Sequence, residues 1–221
     1  SCVEANAPRA KDALEALAAD AALIVIAPGQ PRPVLVRLAG TRAEQWLRRV
    51  GRPVLVVQRP ALASSRRAMA CVDLAPGSHL LVEATRRLAR DPRMTVFHAL
   101  CTRHEEILHL ADVPASRIRA SYERAAEQAR GAIERVVLKT GATLDDVLPL
   151  VARGAAAECI LERERSTDAD LLVLGLRRLG SWTAWTCGVA RRVLLAARSA
   201  VLLLPLPAPP QWPPLQPASR T

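Results

Sequence analysis

Apolar residues follow two periods along the chain. Short unbroken runs of Leu, Ile and Val alternate with stretches in which apolar positions recur every three or four residues. The first kind suits a parallel strand buried on both faces, the second a helix with one apolar stripe. Ala10 to Ala19 has helical spacing through Ala13, Leu14 and Leu17, and Leu23 to Ile26 is a buried strand. Thr41 to Val50 is a second helix, with Ala43, Trp46, Leu47 and Val50 on one side, and Val54 to Val57 is the next strand. After Pro60 to Ser65 the pattern restarts. Ala68 to Val72 reads as a strand, Asp73 to Ser78 as a turn, and His79 to Ala89 as a helix with Leu80, Leu81, Ala84 and Leu88 inward. Met94 to Leu100 is a strand, Ser116 caps a long helix through Arg135, and a weaker strand lies between Leu144 and Ala152. A helix over 155–165, a strand over Leu171 to Leu174, a helix over Val189 to Ala197 and a strand over Val201 to Leu204 follow. Strands alternating with helices imply right-handed crossovers. The fold class is α/β, an open parallel sheet flanked by helices.

Part of this pattern occurs twice. Leu23 to Ala27 map onto Leu171 to Gly175 at an offset of 148, and Val54 to Val57 map onto Val201 to Leu204 at 147. A repeat of that length is a duplicated domain, not a solenoid period. The expected organisation is therefore a half domain over residues 1–60, a linker over 61–65, a complete domain over 66–207 and a proline-rich, disordered tail over 208–221. Because the chain opens at Ser1 inside a unit, an upstream portion is expected.

Composition narrows the function. Half of the 221 residues are apolar, enough to bury a core. The net charge of +10 comes from arginines spread over every helix. A nucleic-acid reader concentrates its basic residues and interleaves aromatics, whereas this chain has one Tyr, one Phe and four Trp. Nucleic acid is therefore not the expected partner. Cys2, Cys71, Cys101, Cys159 and Cys187 are widely spaced, without a Cys-x-x-Cys pair, and read as reduced, mostly buried thiols. No metal-ligand spacing is present, and His104 and His109 lack the i, i+4 relation that shares a helical face. No run reaches the roughly 18 apolar residues of a membrane helix, so a cytoplasmic location is expected.

In an open parallel sheet a ligand sits outside the carboxyl ends of the strands, where strand order reverses. The residues that end the strands are the candidates: Asp73, then His98 and Ala99, then Gly175 with the loop to Gly180. The helix that begins after Gly188 would present free amides and a positive dipole end to an anion. His98 has no serine and carboxylate around it in a hydrolytic pattern and reads as a strand-end histidine. Asp73 has two readings, ligand contact or a cap on the turn into the next helix.

Several of these pieces, in order, carry a resemblance. Val72-Asp73, Val96-Phe97-His98, the passage from Val151-Ala152-Arg153-Gly154 to Asp170 and Gly175, and Val189 to Leu194 before the last strand together resemble the universal stress protein family. The likeness spans residues 66–205, and 1–60 resembles the carboxy-terminal half of the same module, including Gly40 to Glu44. It implies a tandem-type protein with a truncated first domain. The implied fold is a doubly wound five-stranded sheet, adenine-nucleotide alpha-hydrolase-like, plus a partial second copy. It also implies ATP, with magnesium, held by Asp73, Ala99, Gly175, Arg178 and Gly188, and contact through the final strands Val54 to Val57 and Val201 to Leu204. That contact would be self-association or intrachain pairing.

The family's nucleotide binders carry Gly-x-x-Gly, nine residues, then Gly-Ser or Gly-Thr. Here Gly175 matches the first glycine, but Arg178 stands at the second and Val189 follows Gly188. In the first unit Ala27 and Gln30 replace the first two glycines and Gly40-Thr41 remains. A side chain at the second glycine fills the space where an amide would approach phosphate, while an arginine there offers charge-assisted bonds of its own. Trp182 and Trp185 lie in the same loop, to pack on the sheet edge, on a neighbouring subunit or over the site. The expected function is a non-catalytic stress-response module with weakened or lost ATP binding. The alternatives are a nucleotide-independent protein-interaction module and an ATP hydrolase on the same scaffold.

Overall fold

The computed structural model describes residues 18, 20–27, 42–58, 67–89, 91, 93–101, 114–179, 184–185 and 188–206, with backbone alone at 42, 177–179 and 184–185. The helix expected over 10–19 falls almost entirely outside these residues, as do the linker, the tail, His104, His109 and the first unit's glycine loop.

The strands are β1 (Ile24–Ile26), β2 (Val54–Val56), β3 (Ala68–Cys71), β4 (Met94–Leu100), β5 (Val147–Arg153), β6 (Leu171–Leu179), β7 (Ala184–Trp185) and β8 (Ala200–Leu206). The helices are α1 (Arg42–Val50), α2 (Ser78–Leu88), α3 (Ala115–Leu138), α4 (Ala156–Thr167) and α5 (Gly188–Ala196). Seven strands form one sheet in the order β1-β2-β8-β6-β3-β4-β5, and β7 pairs with the far end of β6. All neighbours run parallel except β2 against β8 and β7 against β6. Among the five strands of residues 68–206 that pair in parallel, β3 is central, β4 and β5 lie to one side, and β6 and β8 to the other. That is the doubly wound order, and its switch point falls beside β3.

Alternate residues of each strand face opposite sides. Met69, Cys71, Phe97, Leu172, Leu174 and Leu203 pack under α1, α4 and α5. Ala70, Val96, Val173, Leu202 and Leu204 pack with Leu81 of α2 and Ile133 of α3 on the other face. Because the centres of β3, β6 and β8 are covered on both sides, Ala68 to Cys71, Leu171 to Leu174 and Ala200 to Leu204 are unbroken apolar runs. Pro149 is tolerated because β5 is the outer strand of the sheet order, where a missing N–H removes no bond from a central ladder.

The two strand pairs at the offset of 147–148 share one register. Ile24 pairs with Val54 as Leu172 pairs with Val201. The antiparallel ladder between β2 and β8 sets Val54 opposite Leu203, Leu55 opposite Leu202 and Val56 opposite Val201.

Two local expectations are corrected. Ser116 does not cap α3, which begins one residue earlier behind Pro114, with no side-chain cap. Proline's fixed φ and extended backbone start the helix in its place. The stretch from Gly175 is not a loop, because β6 continues through Leu179 and meets β7, Arg178 opposite Trp185. Both partners there are new: β8 runs on to Leu206 beside Arg177, and β7 closes a hairpin.

Candidate functional site

A cavity of about 280 Å³ opens at the carboxyl ends of β3, β4 and β6. Asp73, Ala99 and Gly175 line it together with His98, Val189 and Leu206. Three of the five expected site residues thus converge on one crevice. Gly188 opens α5 at the surface, with open space where a Cβ would stand, and its neighbour Val189 reaches the cavity. Arg178 is positioned by its backbone in the hairpin. Trp185 sits across from it, and Trp182 lies outside the described residues.

The crevice floor is held by bonds among its own residues. Asp73 Oδ1 accepts from the Ala75 amide and from Ser78 Oγ, each at 3.1 Å. Ser78 is the first residue of α2, so this carboxylate organises the turn that starts the helix. Leu74 inside that turn has φ of 60°, a conformation that costs an L-residue about 1–2 kcal/mol unless its surroundings hold it. Next to it, His98 Nδ1 lies 2.9 Å from the Val72 carbonyl oxygen. A carbonyl only accepts, so Nδ1 carries the proton and donates it, tying β4 to the end of β3.

Gly175 is needed for a reason the sequence pattern did not show. A Cβ there would overlap Leu206 Cδ1 and stand 3.4 Å from Leu81 Cδ1. Leu206 is buried, and its Cδ2 would lie 3.6 Å from a Cβ on Gly77 at the head of α2. The side chain therefore fills the space between β6 and α2 at the mouth of the crevice. The apolar run from Val201 carries on to Leu206, but Pro205 interrupts the strand pattern, and the expected strand stopped short at Leu204. In the folded chain Pro205 lies past Leu203, the last residue of β8 paired with β2, where a missing N–H is tolerated.

Behind the crevice, Cys71 is buried and lines its inner wall. Burial, and next the charge of Glu164, push its thiol far above the ordinary range, so it stays protonated and unreactive. Cys159 is part-buried and also raised, by desolvation and then by Glu162 and Glu158, while Cys101 is exposed. Of the three described thiols only Cys71 fits the expected buried class. Glu164 itself is buried and accepts from the Arg198 amide at 2.7 Å, the Ser199 amide at 2.6 Å and Ser199 Oγ. It fastens α4 to the turn between α5 and β8. Among the described residues, no group of three His, Cys, Asp or Glu side chains is placed to hold a metal ion. No helix among them is long and apolar enough to cross a membrane.

A doubly wound α/β sheet with its crevice at the switch point is consistent with the nucleotide alpha-hydrolase-like fold. Residues 64–205 match the model of the Universal stress protein family, and the chain belongs to that family. Among solved structures, a universal stress protein from Archaeoglobus fulgidus DSM 4304 is similar at a TM-score of 0.59 and 13% identity, covering 88% of this chain and 64% of its own. A universal stress protein of Pseudomonas aeruginosa UCBPP-PA14 is similar at 0.58 and 19%, covering 86% and 66%. A functionally unknown protein of Pseudomonas aeruginosa PAO1 is similar at 0.57 and 20%, covering 86% and 67%. At these identities the likeness is one of fold, and the chain spans about two thirds of the length of each. No curated protein matches.

Proposed function

We propose that this chain is a non-catalytic stress-response module of tandem architecture, acting in the cytoplasm, whose crevice has weakened or lost ATP binding. The observation that carries this reading is Leu206. Its side chain occupies the side of Gly175 where a Cβ would stand, and β6 continues as a ladder strand where the family's phosphate loop would begin. The 280 Å³ cavity is also at the foot of the roughly 300–1,000 Å³ range of pockets that enclose a ligand of that size. Asp73 accepts from the Ala75 amide and Ser78 Oγ, and His98 donates to the Val72 carbonyl, which suits a structural role. These residues therefore support weakened or lost binding of ATP with magnesium. With nucleotide binding weakened or lost, protein surfaces become the means of action, and the alternative reading is a nucleotide-independent protein-interaction module.

Calorimetric titration with ATP and magnesium tests this. The native chain is expected to stay silent at millimolar nucleotide. Micromolar binding, lost in Arg178→Ala, would establish the opposite, a nucleotide-responsive protein using arginine in place of the second glycine. Phosphate release from ATP above a denatured control would bring back the hydrolase.

A further inference from the structure

The seam between β2 and β8 has an approximate two-fold axis. Leu55 stands opposite Leu202, and these two residues are the same position of the repeat. A residue that faces its own equivalent in an antiparallel ladder lies on such an axis. The helices beside the strands obey it as well. Glu44 of α1 and Arg191 of α5 are 147 positions apart, the offset of the strands, and Glu44 Oε2 lies 3.3 Å from Arg191 Nε. Glu44 is fully buried and Arg191 is 27% exposed.

We infer that this pair makes the seam selective for unlike halves: β2 is matched to β8, and β8 is kept from pairing with β8 of a second copy of the chain. A two-fold seam between identical halves brings each axial position against itself. Two β8 edges would set Arg191 against Arg191, and two β2 edges would set Glu44 against Glu44. Like charges at ion-pair distance in a mostly buried seam repel strongly, whereas opposite charges attract there. A second contact has the same sense. Gln58 Nε2 donates to the Leu194 carbonyl at 2.9 Å, satisfying an acceptor in the last turn of α5. The equivalent of Gln58 in the second copy is Pro205, which has no donor to offer, so a β8-to-β8 seam also lacks this bond. The backbone ladder accepts either partner, and the side chains flanking it choose.

Charge reversal in the full chain tests the inference, read by chymotrypsin cleavage within residues 42–58 and by sedimentation. Glu44→Arg and Arg191→Glu each place like charges on the axis and are expected to speed that cleavage about tenfold, the scale of a coupled contact pair. The double reversal Glu44→Arg/Arg191→Glu is expected to return it to the native rate. Cleavage within 114–176 separates loosening of the seam from global unfolding and is expected to stay slow in all three. The native chain is expected to sediment as one copy. The inference is overturned if either single reversal cleaves at the native rate or the double variant cleaves as fast as the singles. It is equally overturned if a chain carrying Leu202→Cys, with its own five cysteines replaced by serine, forms a dimer cross-linked at position 202.

Discussion

Asp73 shows how one residue can hold a ligand-site position and still serve its own backbone. Its carboxylate accepts from the Ala75 amide and from Ser78 at the start of α2, and Leu74 next to it has a positive φ. Asp73→Ala is expected to cost about 1–2 kcal/mol, because the turn loses both bonds and Leu74 loses its support. Asp73→Asn, which keeps an accepting oxygen, is expected to lose less than half of that. Urea unfolding of the two variants checks the claim, and an unchanged midpoint for Asp73→Ala would remove it. The position of Asp73 at a strand end was legible in the sequence. Its partners were not, since a capping carboxylate and a ligand-binding one look alike until the donors around them are known.

At the scale of elements, the ends of β6 and β8 shape the crevice more than any single polar group does. Both strands run past the point where the first apolar runs end, and the extension puts Leu206 over Gly175. Gly175→Ala is therefore expected to destabilise the chain by about 1–3 kcal/mol through overlap with Leu206, with no nucleotide present. Trimming the neighbour relieves the overlap, so Gly175→Ala/Leu206→Ala should be less destabilised than the sum of its single changes by about 1 kcal/mol. Thermal unfolding of the three variants measures this, and simple additivity would show that the two side chains do not meet. The centres of these strands were readable from their apolar runs. The ends were not, because Gly175 resembles the start of a phosphate loop and Pro205 resembles a strand stop, and only the pairing of neighbours decides either.

Among the described residues the whole molecule centres on a seven-strand sheet whose middle is covered on both faces and whose β1 edge is short. β1 has three residues, with Val25 59% exposed, while β3, β6 and β8 carry residues almost wholly buried. Local opening follows such differences in burial and pairing. Amide exchange followed by mass spectrometry is expected to find β1 exchanging fastest among the sheet strands and β3, β6 and β8 slowest. Uniform protection across the sheet would contradict this. At this scale the ion pair of Glu44 and Arg191 joins helices from the two ends of the chain, and Glu164 fastens the turn that leads into the shared strand. Neither role was visible in the linear pattern, where both glutamates sit among ordinary helix charges.

Local order was determined by the sequence alone. Unbroken Leu, Ile and Val runs demand strands buried on two faces, helical spacing demands a covered stripe, and their alternation demands right-handed crossovers, so the α/β class and the strand-end location of the crevice followed directly. Tertiary structure decided what meets at those ends. Leu206 reaches Gly175, Glu44 reaches Arg191 and Glu164 reaches Ser199 across long separations in the chain. Periodicity reports only which face of an element is buried. Which distant side chain arrives on that face depends on strand order, register and length, and these are settled by the packing of the whole sheet.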